Sequence, residues 1–304
     1  MSALLEVRGV TKHFPIGGML SGRQVRAVED ANFSVGDSGA EIFTIIGESG
    51  SGKTTLARMI LGLERPTSGE ILFGGQPVTH PSRRERLAFM AKVQPVFQNP
   101  FEAFNPLKRV ERYLAATARR FLGLRDRAAI DKAVDESLHK VGLSLAEVRG
   151  RFPHELSGGQ LQRAAIARAL IPGPSLLIAD EPVSMVDASL RMAIVNLLRN
   201  LRDNFGVTVI YITHDLATAY YISDRLVIMQ RGLIVEMGPA RPILDDPVHP
   251  YSKLLKSSVL AVDAIGSDLA IDPQLLAAGN ADAGSTAVPL QPGPDGRLVR
   301  AVAI

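Results

Sequence analysis

A glycine-rich segment that ends in lysine and threonine is the clearest sign of chemistry in the sequence. Its residues fit the pattern GxxxxGK(S/T) and run Gly47, Glu48, Ser49, Gly50, Ser51, Gly52, Lys53, Thr54, followed by Thr55. Glycines let backbone N–H groups turn inward around phosphate oxygens, and a helix start adds partial positive charge there. We therefore predict a nucleotide-phosphate site with Lys53 on the β- and γ-phosphates and Thr54 on Mg²⁺.

The neighbouring sequence favours this interpretation over a chance glycine-rich turn. An apolar, strand-like run, Ile42–Ile46, precedes the loop, and a helix-like run, Thr54–Leu63, follows it. Strand, loop and helix in this order are the context that a phosphate-binding loop requires.

Two acidic residues follow a second apolar run much later in the chain. Leu176–Ala179 is strand-like and leads directly into Asp180 and Glu181. In enzymes with such a phosphate loop, an acid at this kind of strand end holds hydrated Mg²⁺. We expect that role for Asp180, and we expect Glu181 to polarise the attacking water. A solvated acidic strand end remains the alternative.

The elements that must position these groups predict an α/β protein. An amphipathic helix is expected over Ser189–Phe205, where apolar residues recur at helical spacing. A hairpin should turn through Arg231 and Gly232. The expected strands are Leu4–Val10, Ala27–Val35, Glu41–Ile46, Glu70–Phe73, Val93–Phe97, Leu176–Ala179, Val207–Ile212, Arg225–Met229 and Leu233–Glu236.

The pattern also predicts a division of the chain. Between Lys108 and Leu170 strand signals vanish and helical segments follow one another. We predict a core formed by residues 1–98 and 173–262, a helical subdomain over 99–172, and a partly irregular C-terminal extension over 263–304. Asn280–Arg297 has the composition of a loose tail, so removal of the residues after about Ile265 is expected to leave activity nearly unchanged.

Composition excludes several classes of protein. There is no cysteine among 304 residues, which excludes disulfides and thiolate metal sites. The net charge of +3 is too small to indicate nucleic-acid binding. No apolar run approaches the ~18 residues that span a bilayer, and Met1–Val10 lacks the apolar core of a signal peptide. These features predict a cytosolic protein that reaches a membrane only through a partner.

A second glycine-containing segment points to a family. Leu156, Ser157, Gly158, Gly159 and Gln160 are followed by Leu161, Gln162 and Arg163. This segment resembles the signature sequence of ABC ATPases, and the resemblance covers roughly Leu4 to Leu255. It implies a P-loop NTPase (RecA-like) core with an antiparallel β subdomain and an inserted α-helical subdomain.

The resemblance gives the signature a role across a dimer interface. It implies that Ser157, Gly158, Gly159 and Gln160 bind the γ-phosphate of ATP held by the opposite subunit. A helix start is suited to an anion. The alternative is an N-cap without a ligand, in which the Ser157 hydroxyl is satisfied locally.

Four further positions match the family. Gln98 resembles the Q-loop glutamine that touches Mg²⁺ and water, and His214 resembles the switch histidine on the γ-phosphate. Phe14 resembles the aromatic that stacks on adenine, with a core phenylalanine as the alternative. Asp187 is retained in the D-loop.

The D-loop departs from the family at two positions. Met185 and Val186 stand where the family more often has Ala and Leu, a change that could alter coupling between the two ATP sites.

Other segments resemble the oligopeptide and dipeptide permease ATPases. They are Val96–Phe101 with Asn105 and Pro106, Arg151–Glu155, and Pro247–Tyr251 with Leu254 and Leu255. The long loop expected over Lys12–Arg26 resembles one of the two paralogues in that group. The resemblance implies a paralogous ABC ATPase as a second subunit, two transmembrane permease subunits, and an extracytoplasmic solute-binding protein that acts indirectly.

The favoured function is thus an ATP-hydrolysing subunit that powers an importer of peptides or a similar small solute from the cytoplasmic face of the inner membrane. A soluble ABC ATPase not coupled to transport is the alternative, and a scaffold that binds nucleotide without turnover is a third. Intact Lys53, Asp180, Glu181 and His214 argue against the scaffold.

Apolar residues after Gln98 suggest where a membrane partner docks. Phe101, Phe104 and Leu107 lie in a segment interrupted by proline and asparagine. We expect them to form a groove for a cytoplasmic helix of the permease, with packing against the helical insertion as the alternative.

Overall fold

The computed structural model describes residues 3–16, 23–79, 82–184, 186–263 and 289–301. The chain divides into two units, the first formed by Met1–Pro77 and Thr213–Ile304 and the second by Val78–Ile212. Among the described residues, no helix is long and apolar enough to cross a membrane. The predicted boundaries after residues 98 and 172 fall inside the second unit and remain predictions.

The first unit contains most of the strands. Its strands are β1 (Leu5–Ile16), β2 (Arg23–Val35), β3 (Ile42–Ile46), β4 (Ser68–Phe73), β5 (Gln76–Pro77), β9 (Arg225–Gln230), β10 (Leu233–Pro239), β11 (Leu290–Pro292) and β12 (Leu298–Arg300). Its helices are α1 (Lys53–Ile60), α8 (Leu216–Ile222), α9 (Ala240–Asp245) and α10 (Pro250–Asp263).

An antiparallel sheet in this unit has the strand order β2-β1-β4-β5. Its first two strands are longer than expected, because His13 pairs with Arg26 and Phe14 with Val25. The loop expected over Lys12–Arg26 is therefore wrong at both of its ends. Cross-strand pairing extends the strands beyond the apolar runs that local pattern detects; residues 17–22 lie outside the described part of the chain.

The strand before the phosphate loop is buried along its length. All five residues of β3 are buried, as expected for a strand covered on both faces. It runs parallel to β9, with Phe43 beside Arg225 and Ile46 beside Ile228. The β9–β10 hairpin turns through Arg231 and Gly232, both at positive φ, which suits a tight turn between twisted strands.

A short hairpin near the C-terminus adds to β10. β12 pairs with β10 through Val299 and Leu298, and β11 pairs with β12. The composition of a loose tail did not predict these strands. The buried residues of this hairpin are Arg297, just before β12, and Arg300 at its end. Both are polar, so an apolar periodicity could not reveal the hairpin.

The second unit contains most of the helices. Its helices are α2 (Arg83–Lys92), α3 (Val110–Leu122), α4 (Arg127–His139), α5 (Leu145–Val148), α6 (Gly158–Leu170) and α7 (Ala188–Phe205), and its strands are β6 (Val93–Val96), β7 (Leu176–Asp180) and β8 (Thr208–Thr213). The three strands are parallel in the order β8-β7-β6.

Helices α3, α4 and α6 pack together through buried apolar residues, among them Leu114, Ile130 and Leu161. This agrees with the helical succession expected between Lys108 and Leu170. The amphipathic helix expected over Ser189–Phe205 corresponds to α7, which begins one residue earlier.

Candidate nucleotide-binding site

The glycine-rich loop connects β3 to α1 and lies against neighbouring backbone. A Cβ atom on Gly47 would lie 2.2 Å from the Met229 carbonyl oxygen, and one on Gly52 would lie 2.1 Å from the Ala27 carbonyl oxygen. Gly52 also has φ of 106°. Side chains at these two positions would therefore force the loop away from its support.

Lys53 is buried and reaches back across the loop. Its Nζ donates hydrogen bonds to the carbonyl oxygens of Gly47 at 2.7 Å and Glu48 at 2.8 Å. Burying an ammonium group is costly unless it is hydrogen-bonded. These bonds hold the cation within the concave loop.

Two features of the loop fit a phosphate group. The buried Oγ atom of Ser51 has no hydrogen-bond partner among the described residues. Helix α1 has no acidic residue in its first turn and no side-chain cap at Gly52. Its first N–H groups are thus of the kind that an external anion satisfies.

Phe14 lies on β1 with its ring half-exposed, at 37% of full exposure. Lys12 Nζ lies 4.9 Å from the ring centroid. The structure therefore does not place this ring in the core, and its exposed part is available for stacking.

His214 is exposed and directly follows β8. The next residue, Asp215, caps α8, because its Oδ1 accepts hydrogen bonds from the N–H groups of Ala217 and Thr218. This cap, directly after His214, defines where α8 begins.

Glu181 and Gln98 come together in the second unit. Gln98 Nε2 donates to Glu181 Oε2 at 3.3 Å, although 83 positions separate the two residues. Glu181 has φ of 45°, in the left-handed region, and its N–H donates to the Ile212 carbonyl at 2.9 Å. Such backbone strain is concentrated at functional sites. Asp180 is the last residue of β7 and is partly buried.

The signature segment forms the start of α6. Ser157 Oγ accepts the Gln160 N–H at 3.2 Å, and Gln160 Oε1 accepts the Ser157 N–H at 3.0 Å, which makes a capping box. Gly159 is buried, and a Cβ there would lie 2.8 Å from Leu190 Cδ1. The cap occupies the Ser157 side chain, while the first N–H groups of α6 still lack intrahelical acceptors.

Asp187 precedes α7 and is exposed, with no hydrogen bond from its side chain to the helix start. Val186, one of the two D-loop residues that differ from the family pattern, is buried. Met185 lies outside the described residues.

Comparisons with known proteins agree on one family. The model of the family described as "ABC transporter" matches residues 28–184. The oligopeptide transport ATP-binding protein AppF of Bacillus subtilis is 40% identical over 270 residues, which cover 87% of this chain and 80% of that protein. The glutathione import ATP-binding protein GsiA of Salmonella typhimurium is 40% identical over 263 residues, covering 86% of this chain and 42% of that protein.

This chain belongs to the ABC transporter ATPases.

A solved structure supports both the fold and the activity. The dimeric ATP-binding cassette MJ0796, in a post-hydrolysis state bound to ADP and Pi, is similar with a TM-score of 0.68 and 28% identity, over 78% of this chain and 99% of that chain. The expected mixed α/β fold of a P-loop NTPase is confirmed, and so is the expectation of an ATP-hydrolysing enzyme. The roles of individual residues in this ABC ATPase remain predictions.

Sequence reasoning missed one contact of the phosphate loop in this ABC ATPase. The Glu48 N–H donates to the hydroxyl oxygen of Tyr251 at 3.1 Å. Tyr251 belongs to the Pro247–Tyr251 segment, which served only as a mark of the permease group. No local pattern connects residues 203 positions apart.

The structure separates the three apolar residues expected to form a docking groove. Phe104 is buried at 1% exposure and packs edge-on against Tyr113, with ring centroids 5.6 Å apart. Its assignment to the groove is wrong, and its role is the alternative one, packing within the second unit. Phe101 and Leu107 are exposed, at 47% and 84%.

Proposed function

We propose that this ABC ATPase powers an importer of peptides or similarly small solutes. Relatives named for oligopeptide transport and for glutathione import support this class of cargo. In the proposed assembly the chain pairs with a second, paralogous ABC ATPase and with two transmembrane permease subunits on the cytoplasmic face of the membrane. A solute-binding protein on the other side delivers the cargo.

The observation that carries the nucleotide site is the phosphate loop. The loop combines a buried, inward-held Lys53, the orphaned Oγ of Ser51 and the uncapped start of α1. Together with Gly47, Gly50 and Gly52 these groups supply donors and positive charge for the β- and γ-phosphates. Phe14 stacks on the adenine, and Glu48, Ser49, Thr54 and Thr55 complete the loop.

The chain also carries oxygen donors of the kind that Mg²⁺ prefers. The hydroxyl of Thr54, the carboxylate of Asp180 and the amide oxygen of Gln98 are hard ligands. The ion would neutralise charge on the phosphates as it does in other phosphoryl-transfer enzymes.

Hydrolysis then depends on aligning water and accepting its proton. Glu181 is the proposed base, and Gln98, which donates to it, orients both the carboxylate and the water. His214 contacts the γ-phosphate. Ser157, Gly158, Gly159, Gln160 and Asp187 act on the nucleotide of the paired subunit, as the family resemblance implies.

The variant Lys53→Ala tests the nucleotide site. It removes charge-assisted hydrogen bonds to the β- and γ-phosphates, so ATP affinity and turnover should both fall in the assembled complex. Lys132→Ala, which removes an exposed lysine of α4, is the control and should match the wild type. Normal ATP binding by Lys53→Ala would refute the site.

The transport role needs a separate test, because a soluble ABC ATPase would pass the first one. Purification of the chain from membranes should recover two hydrophobic membrane proteins and the second ATPase. Mass spectrometry of the ligand on the associated binding protein should then identify a peptide or a solute of similar size. Recovery of the chain without membrane subunits would favour the soluble alternative.

A further inference from the structure

One peptide group of the phosphate loop is held at both of its ends. The planar peptide between Gly47 and Glu48 presents its C=O and its N–H in opposite directions. Lys53 Nζ donates to the Gly47 carbonyl oxygen at 2.7 Å, and the Glu48 N–H donates to the Tyr251 hydroxyl oxygen at 3.1 Å. A rotation of this peptide would break both bonds. By holding the N–H of this peptide, Tyr251 therefore also holds the Gly47 carbonyl oxygen that accepts from Lys53.

Tyr251 is itself firmly placed. It is buried in an apolar cluster with Ile46, Leu226 and Ile243. Its N–H donates to His249 Nδ1 at 3.2 Å. Burial raises the pKa of Tyr251 to about 12, so the hydroxyl stays protonated at any physiological pH.

The segment that carries this tyrosine is anchored on a buried carboxylate. Glu236 is fully buried, and its two oxygens accept the N–H groups of Val248 and His249, each at 3.1 Å. Arg297 of the C-terminal hairpin lies 3.4 Å from the same carboxylate. The position of the Tyr251 hydroxyl thus follows from a hydrogen-bonded network within the first unit.

We propose that Tyr251 is a positioning residue for ATP binding, which holds the Gly47–Glu48 peptide, and through it Lys53, in the phosphate-binding arrangement. The proposal rests on the proposed nucleotide role of the loop. Without the hydroxyl, the Gly47–Glu48 peptide also adopts other orientations that do not bind phosphate. The apparent nucleotide affinity then falls in proportion to the population of the binding-competent orientation.

The variant Tyr251→Phe tests this idea in the full chain, since it keeps the ring in its apolar cluster and removes only the hydroxyl. Dissociation constants for ATP and ADP should rise roughly two- to tenfold, the equilibrium weight of one hydrogen bond. In the assembled transporter, KM for ATP should rise by a similar factor while kcat changes little. The effect should not vary between neutral and mildly alkaline pH.

Two comparisons separate this proposal from others. Tyr220→Phe, on a half-exposed tyrosine of the same unit, is the control and should leave the affinities unchanged. Lys53→Ala tests the loop itself: normal binding by that variant would refute the nucleotide site. Weak binding by Lys53→Ala together with wild-type affinities for Tyr251→Phe would overturn the positioning role alone.

A purely structural role for Tyr251 gives a different result. Tyr251→Phe would then lower the unfolding midpoint but leave both dissociation constants unchanged when they are measured well below that midpoint.

Hydrogen exchange of the wild-type chain supplies a test that needs no variant. The Glu48 amide should exchange slowly, and exchange at the rate of a free loop amide would overturn the inference.

Discussion

At the scale of single residues, the Gln98–Glu181 hydrogen bond bears most directly on the proposed catalytic role of Glu181. In this bond one carboxylate oxygen of Glu181 accepts from the amide of Gln98. The left-handed backbone conformation of Glu181 sets the direction in which its side chain leaves the chain. A glutamine placed in this way orients the carboxylate, and because it donates only a hydrogen bond, the carboxylate can still accept a proton. This arrangement supports Glu181 as the proposed base.

Glu181→Gln should therefore bind ATP but hydrolyse it slowly. The change keeps the shape and removes the basic carboxylate, and general-base assistance is typically worth roughly 10²–10⁴-fold in rate. Phosphate release by the assembled complex and the nucleotide retained at each site give the measurement. ADP found at this chain's site as readily as in the wild type would exclude Glu181 as the required base.

At the scale of elements, the C-terminal hairpin changes the expectation drawn from composition. Arg297 contacts Glu236, the Asp246 carbonyl and the exposed Asp295, and Arg300 Nε donates to the Ile234 carbonyl at 2.8 Å. A chain cut after about Ile265 would lose Asp295, Arg297 and Arg300. It would leave Glu236 buried without its cationic partner, so the structure gives no support to a harmless truncation.

Arg297→Ala should destabilise the protein by about 3 kcal/mol, the scale seen when one partner of a buried ion pair is removed. Denaturant unfolding of the full chain measures the change. Asp295→Ala removes the exposed partner of the same arginine and should cost much less, because exposed pairs contribute little. Equal effects of the two variants would argue against the buried pair as the source of stability.

The segment after Gln98 gives a second prediction at this scale. Leu107 is exposed and Phe104 is buried. Substitutions at these two positions can therefore distinguish an effect on docking from an effect on folding. Leu107→Asp should reduce co-purification with the permease subunits while leaving the unfolding midpoint of the isolated chain unchanged. Phe104→Asp should instead lower that midpoint, because it buries a charge. Normal assembly of Leu107→Asp would place the docking surface elsewhere.

At the scale of the whole molecule, ATP hydrolysis is expected to involve two subunits. The similar cassette bound to ADP and Pi is a dimer, and the signature segment of this chain is exposed at Ser157 and Gly158. If each signature acts on the nucleotide of the paired subunit, a change in this chain's signature affects the other subunit's site.

Ser157→Arg should consequently slow hydrolysis at the partner's nucleotide site without weakening ATP binding to this chain alone. Site-resolved nucleotide analysis of the assembled pair gives the measurement. Ser144→Arg is a matched control, since Ser144 caps α5 in the second unit with the same capping box. Loss of a cap costs about 1 kcal/mol in either variant, so equal effects on turnover would reduce the role of Ser157 to capping.

Much of the first unit's site followed from sequence alone, because its signals are local. The phosphate loop lies between a fully buried strand and a helix, as its neighbours predicted, and the Arg231–Gly232 turn forms where Gly232 allows positive φ. In the second unit, the apolar run before Asp180 and Glu181 likewise predicted that these acids lie at the end of a strand, and β7 ends at Asp180. Short-range spacing and backbone preference are enough to specify such features.

Tertiary structure alone decided the contacts between residues far apart in the chain. The Tyr251 hydroxyl on Glu48, the Arg297–Glu236 pair, and the burial of Phe104 beside an exposed Leu107 have no periodic signature. The first two are polar contacts inside the protein, where an unpaired group is costly and a partner must be brought from elsewhere in the fold. Such partners are selected by three-dimensional packing, which a local pattern of apolar and polar residues does not encode.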